Sequence, residues 1–350
     1  MNVLDLVRPD LRDFGGYGSA RKTGLSGRIW LNANESPWAS PADPGLHLNR
    51  YPEPQPAALK ARLAVLYGVP EDTLLMTRGS DEGIDLLTRG LCRAERESIL
   101  IAPPVFGMYA VSARVQGAPM VEVPLIDDGD AFRFDVDAAL RAVELSVAKA
   151  PVKIVYVCSP SNPTGQAMPL ADIERLLAGV AGRAIVVVDE AYGEYSAVPS
   201  ALTLRAKHAN LVVLRTLSKA YALAGARLGI TIGDPALIRV LNAIAPPYPL
   251  ASPAVALALE AVSEPAADEA RRRLCLGREL PAGALQRCRR RLPRTALGRR
   301  GRPRPARRAA SRGCAAHHHR HRGRERRDAR CPPDPAACRA HRLNRHAPED

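Results

Sequence analysis

Five short runs of aliphatic and β-branched residues constrain this chain more than any other feature. They are SILIAP (98–103), VKIVYVCSP (152–160), RAIVVVDEAY (183–192), NLVVLRTLS (210–218) and RLGITIG (227–233). None alternates apolar with polar residues, so each reads as a strand buried on both faces. Between and before them lie helix-periodic stretches. PAALKARLAVLYG (56–68) and PLADIERLLAGVAG (169–182) are two, and SDEGIDLLTRGLCRA (80–94) is a third that opens on capping residues. Strands alternating with helices predict an α/β fold, with a mostly parallel central sheet and helices on both faces.

In such sheets ligands bind beyond the carboxyl ends of the strands. The polar segments there are SPSNPTG, DEAYGEY and TLSKAY, which would bring Asn162, Asp189, Tyr192 and Lys219 to one edge. Taken singly each has a plain structural reading. A strand-terminal aspartate caps a helix, a lysine is a solvated surface group, and NPTG is a good turn. Their order at consecutive strand ends carries the argument.

That order, NPTG then DEAY then LSKAYALAGARLG, resembles the fold-type-I pyridoxal-phosphate aminotransferases related to aspartate aminotransferase. LNANESP (31–37), YPEPQP (51–56), RGSDEGID (78–85) and PPVFGMY (103–109) are similar to the histidinol-phosphate aminotransferase branch, and the likeness runs from about residue 5 to about 263. It implies a large cofactor-binding domain over 51–263, an N-terminal segment (1–50) serving a smaller α/β domain and dimer contacts, and pyridoxal 5′-phosphate as cofactor. Lys219 matches the lysine that bonds the cofactor aldehyde and moves the substrate proton. Asp189 matches the carboxylate partner of the pyridine nitrogen, and Asn162 and Tyr192 match the partners of the phenolate oxygen. For the phosphate, backbone N–H groups of Ser80 and Asp81 at a helix start, hydroxyls of Thr216 and Ser218, and the charge of Arg227 are implied. Phe106 is the expected cover of the ring, with Tyr109 as the alternative. Tyr51 resembles a tyrosine that reaches the phosphate of a neighbouring subunit, which implies a homodimer with shared sites. Tyr17 and Asn34 resemble substrate-side residues.

The reaction implied is amino transfer between L-histidinol phosphate and 2-oxoglutarate, a step of histidine biosynthesis, with a small-molecule donor and acceptor. Aromatic aminotransferases and threonine-phosphate decarboxylases would share Lys219, Asp189 and Arg227. The start, MNVLDLVRPDLRDF, has no apolar signal core, and no run of eighteen apolar residues occurs, so a cytoplasmic protein without a membrane span is expected.

Charge divides the chain. Residues 271–350 hold 25 arginines, no lysine and 6 acids, whereas 1–270 hold 25 Lys and Arg against 30 Asp and Glu. The basic part contains none of the aromatic residues and cannot easily bury enough surface to offset its ordering entropy. A nucleic-acid arm or a His/Cys metal site there would suit GCAAHHHRHRGRERRDAR (313–330). The absence of lysine and aromatics, and ligand spacings that match no standard site, argue against both, so neither metal nor nucleic acid is expected. A shifted reading frame accounts for it better. One nucleotide later each His-His step decodes as Ile or Thr, and that frame permits LRITIGTAEEND. This is close to LRITIGTPEEN, the motif by which the family supplies a substrate-clamping arginine. Residues 264–350 are therefore expected to be an out-of-frame, disordered tail in place of the rest of the small domain, which puts turnover at risk.

Overall fold

The computed structural model describes residues 2–18 and 29–263. The expectations for the arginine-rich tail, and for the frame in which it is read, lie outside the described residues.

Seven strands form one sheet: β1 (Leu74–Thr77), β2 (Ser98–Ile101), β3 (Met120–Glu122), β6 (Val152–Cys158), β7 (Ile185–Asp189), β8 (Leu211–Thr216) and β9 (Gly229–Ile232). Their spatial order is β1-β9-β8-β7-β6-β2-β3. Every pair from β8 to β3 is parallel, while β9 runs antiparallel to both β8 and β1. A two-residue hairpin, β4 (Ile126–Asp127) with β5 (Phe132–Arg133), stands apart. The five strands expected from the sequence are all present. β1 and β3, four and three residues long, are additional.

Among the described residues seven α-helices cover the sheet: α1 (Ala57–Tyr67), α2 (Gly79–Leu91), α3 (Met108–Gln116), α4 (Val136–Ser146), α5 (Leu170–Gly179), α6 (Pro235–Ile244) and α7 (Ser252–Ala261). Strand side chains alternate between two separate cores. Ile185, Val187, Val212 and Leu214 pack with Ile84 and Leu87 of α2, Tyr109 and Ala113 of α3, and Leu237 and Leu241 of α6. Val186, Val188, Leu211 and Val213 pack with Val143 of α4 and Ile173 and Leu176 of α5 on the other face. This two-sided burial is why the strands read as unbroken apolar runs. At the β1 edge, Leu59 and Leu63 of α1 close a third cluster with Met76, Ile230 and Ala258. The first residues also join a core, with Val3, Leu6 and Val7 packed among the α2 and α6 side chains.

The start of α2 differs from the sequence reading. Its N-cap is Arg78, which makes no side-chain cap, and Ser80 and Asp81 lie inside the first turn. The Glu82 carboxylate takes over capping, accepting from the Arg78 backbone N–H at 2.7 Å. The first-turn N–H groups, which have no intrahelical partners, are thereby left facing outward from the helix end.

Candidate active site

Strand parity builds the site. Asp189 shares its face of β7 with Ile185 and Val187, Thr216 its face of β8 with Val212 and Leu214, and Cys158 its face of β6 with Ile154 and Tyr156. All three side chains therefore emerge on the α2–α3 side, at the carboxyl edge of the parallel strands. There they line a cavity of about 160 Å³ together with Gly79, Ser80, Asp81, Phe106, Asn162, Ala191, Tyr192, Ser218, Lys219, Ala224 and Arg227. Ten of the residues singled out from the sequence thus meet in one place.

On one side of the cavity is the start of α2. Gly79 has φ +76, and a methyl there would lie 2.6 Å from Arg227 Nη2, so the guanidinium packs directly on the helix end. Arg227, itself in the left-handed region, donates to the Asp81 carboxylate at 3.0 Å and to the Ala224 carbonyl at 3.3 Å. Asp81 therefore presents a side chain to the arginine as well as a backbone N–H. Thr216 Oγ1 lies 2.9 Å from Ser218 Oγ and accepts from the Ser218 N–H at 3.1 Å. A helix N-terminus, a guanidinium and two hydroxyls form a cradle for a phosphate dianion.

The same cavity is lined by Asp189, which is only 3% exposed. It accepts hydrogen bonds from the Tyr109 hydroxyl at 2.7 Å and the Ala191 N–H at 3.1 Å. Neither donor is a cation. Burial pushes the Asp189 carboxyl up from its ordinary pKa, the two hydrogen bonds draw it part-way back, and the nearby acids Asp81 and Glu190 push it further up. A buried carboxylate without a cationic partner invites a cationic ligand atom, which a protonated pyridine ring supplies. The Lys219 amine stands 5.3 Å from the centre of the Tyr192 ring, and Phe106 forms part of the wall. The donor set fits pyridoxal phosphate: an anion cradle, a buried acid and an amine line one cavity.

The remaining candidates are placed elsewhere. Tyr109 does not line the cavity. It is fully buried beneath it, edge-on to Phe106 at 5.7 Å, so of the two aromatic candidates only Phe106 can cover a bound ring. Tyr51 is half-exposed and stacks on Tyr248 at 4.6 Å. Tyr17 and Asn34 are not among the lining residues. The sequence reading missed Gly79, Cys158, Ala191 and Ala224 as lining residues. The Cys158 thiol is pushed up to about 12 by burial and by the Asp189 charge, so it is no nucleophile. A second cavity, of about 230 Å³, lies across Cys158 with Val105, Phe132, Phe134 and Met168 in its wall, but it contains neither the lysine nor the helix end.

The model of the family described as aminotransferase class I and II matches residues 26–291. The chain belongs to this family. Curated relatives of the aminotransferase include the histidinol-phosphate aminotransferase of Xanthomonas campestris pv. campestris (strain ATCC 33913), which is 55% identical over 273 residues, covering 78% of this chain and 74% of the relative. That of Xylella fastidiosa (strain Temecula1) is 55% identical over 261 residues, covering 75% and 70%. Among solved structures, histidinol-phosphate aminotransferase from Sinorhizobium meliloti, in complex with pyridoxal-5′-phosphate, superposes with a TM-score of 0.58 at 25% identity, covering 65% of this chain and 59% of its own. Aspartate aminotransferase of Thermus thermophilus shares the fold, with a TM-score of 0.57. Among the described residues no helix is long and apolar enough to cross a membrane, and no cluster of side chains suits a metal ion.

Proposed function

We propose that this aminotransferase binds pyridoxal 5′-phosphate in the cavity at the carboxyl edge of β6, β7 and β8, and transfers the amino group between L-histidinol phosphate and 2-oxoglutarate. The observation that carries this reading is that one cavity is lined by an anion cradle, a buried carboxylate without a cationic partner, and the Lys219 amine. The curated relatives support the substrate.

When bound, the cofactor supplies an aldehyde that captures amines and a ring that takes up electrons from the substrate carbon. The rest is done by residues of this chain. Backbone N–H groups of Ser80 and Asp81, the Thr216 and Ser218 hydroxyls and the Arg227 guanidinium hold the phosphate. Asp189 keeps a proton on the ring nitrogen, and a buried carboxylate does this better than a hydrated one because its charge is poorly screened. Asn162 and Tyr192 hydrogen-bond the phenolate oxygen, and Phe106 covers the ring face. Lys219 Nζ would hold the aldehyde and, when free, would be the base that takes the substrate Cα proton. Tyr17 and Asn34 serve the substrate side.

The active species is a cytoplasmic homodimer in which Tyr51 reaches the partner's phosphate. Exposed apolar side chains at Ile29, Leu31 and Trp38 support a second copy covering this segment. The shift of frame is placed between about residues 264 and 314. The family match runs on to residue 291, which favours the later part of that range, and the nucleotide sequence of the region decides the matter. Stop codons or no family-like motif in the second frame overturn it.

Adding pyridoxal phosphate to the purified chain should produce a visible absorption band that Lys219→Ala abolishes. Turnover should favour histidinol phosphate over phenylalanine and threonine phosphate. A chain that takes up no cofactor, or whose band survives Lys219→Ala, refutes the assignment.

A further inference from the structure

Beneath the cavity, Asp189 rests on a support that the lining residues do not reveal. Its two oxygens are held separately, Oδ2 by the Tyr109 hydroxyl at 2.7 Å and Oδ1 by the Ala191 N–H at 3.1 Å. Tyr109 is wholly buried and lies flat on Tyr156 of β6, with ring centres 4.4 Å apart and planes within 8°. The Tyr156 hydroxyl in turn meets α2, lying 3.1 Å from Thr88 Oγ1 and donating to the Ile84 carbonyl at 3.3 Å. Both rings and both hydroxyls are in the core, where rotamers are fixed by packing.

We propose that Tyr109 is a positioning residue of this enzyme: its hydroxyl fixes the orientation of Asp189 and favours its charged form, and the Tyr156–Thr88 contact ties that support to the helix whose first turn cradles the phosphate. The inference rests on the reading of Asp189 as partner of the ring nitrogen. One continuous set of contacts then joins the two ends of the cofactor site, and sets the separation between acid and cradle that a rigid ligand must match. The chemistry suits the role. A phenol donates one hydrogen bond without bringing a positive charge that would compete with the ring nitrogen for Asp189. Burial and the neighbouring Asp189 hold the Tyr109 phenol well above its usual pKa, so it remains a donor at working pH. Its hydrogen bond lowers the Asp189 pKa against the upward push of burial.

Tyr109→Phe keeps the ring and its stacking and removes only the donor. The dissociation constant of pyridoxal phosphate would be measured across pH for the wild-type chain, Tyr109→Phe and Asp189→Asn. At neutral pH Tyr109→Phe should bind roughly tenfold more weakly, about 1.4 kcal/mol. The ratio to wild type should shrink as pH rises, because Asp189 ionises at higher pH even without the donor. A merely structural role gives a ratio independent of pH, and that result overturns the proposal. So does wild-type affinity in Tyr109→Phe when Asp189→Asn binds weakly, an outcome that leaves the ring-nitrogen reading standing. Wild-type affinity in Asp189→Asn removes that reading and the proposal with it.

Discussion

The anion cradle depends on a contact between two backbones, and Gly229→Ala tests it. Gly229 begins β9, paired on one side with Thr77 of β1 and on the other with Thr216 of β8. A methyl at this position would lie 2.2 Å from the Gly79 carbonyl carbon, 2.3 Å from the Ser80 nitrogen and 2.6 Å from the Gly79 oxygen. Non-bonded carbon contacts are comfortable at about 3.5 Å, so the first turn of α2 must retreat by roughly an ångström. No flexible side chain can absorb the clash, and β9 is pinned on both edges. Overpacking of this kind costs about 1–3 kcal/mol. For a domain of this size that lowers Tm by roughly 2–10 °C. The same ångström would break the Ser80 N–H hydrogen bond to a bound phosphate, a charge-assisted contact worth about 1.5–3 kcal/mol. Cofactor affinity should therefore fall by roughly ten- to a hundredfold. Differential scanning fluorimetry and a pyridoxal phosphate titration measure the two effects. Gly225→Ala is the control, since a methyl there meets nothing within 4 Å. If Gly229→Ala loses stability and keeps its cofactor affinity, the close approach does not shape the cradle and the reasoning fails.

Two further substitutions act through buried charge. Arg215, 8% exposed, pairs with Glu190 at 2.7 Å and Glu194 at 3.0 Å, and its guanidinium lies 5.1 Å from the Tyr67 ring centre. Arg215→Met should cost about 3–5 kcal/mol by leaving two buried carboxylates unpaired, with Glu190→Gln restoring part of the loss in a thermal melt. Asp189→Asn should raise the Tm of the cofactor-free protein by roughly 2–4 °C at neutral pH. The Asp189 pKa is raised on folding, so its charge opposes folding above the ordinary carboxylate range, and the difference should shrink once pH falls below the folded-state value and vanish at the ordinary carboxylate pKa. A Tm gap that persists in acid would show that the effect is not the charge.

How much was legible follows from what each signal depends on. The central strands could be read because burial on two faces writes an unbroken apolar run, as in Ile185–Asp189. β3 could not, because three half-exposed residues carry no period, whereas β1 went unread although its four residues are as buried as those of β2 and β9. Asp189, Thr216 and Lys219 were legible from their places at strand ends. Tyr109 was legible only as an aromatic near the ring, since its actual partner lies 80 residues away and nothing local in PPVFGMY encodes that contact. Arg215 went unremarked, although a charge inside NLVVLRTLS was a usable signal. A charged residue in a strand buried on both faces requires a partner, and DEAYGEY offers two acids. The capping of α2 was misread because Ser80 and Asp81 have the composition of caps, while Glu82, later in the same first turn, does the capping.

Adjacent residues Asp189 and Glu190 show how one strand end serves stability and binding at once. The β7–β8 ladder continues one residue past Asp189, with the Glu190 N–H donating to the Leu214 carbonyl at 3.0 Å. Strand alternation then sends the two carboxylates to opposite faces. Glu190 is fully compensated: Arg215 pairs with one oxygen, the Ser200 hydroxyl donates to it at 2.6 Å, and the Ala201 N–H donates to the other at 2.7 Å. That network binds the ends of β7 and β8 together immediately beside the positions that carry Asp189 and Lys219. Asp189 receives two neutral hydrogen bonds and no cation, so the protein alone leaves its charge only partly stabilised. A fold that compensated both acids would be more stable and would have nothing to offer a cationic ring. Leaving the cavity-facing acid unpaired, on a strand end locked by its neighbour, confines the destabilisation to the one position where a ligand can remove it.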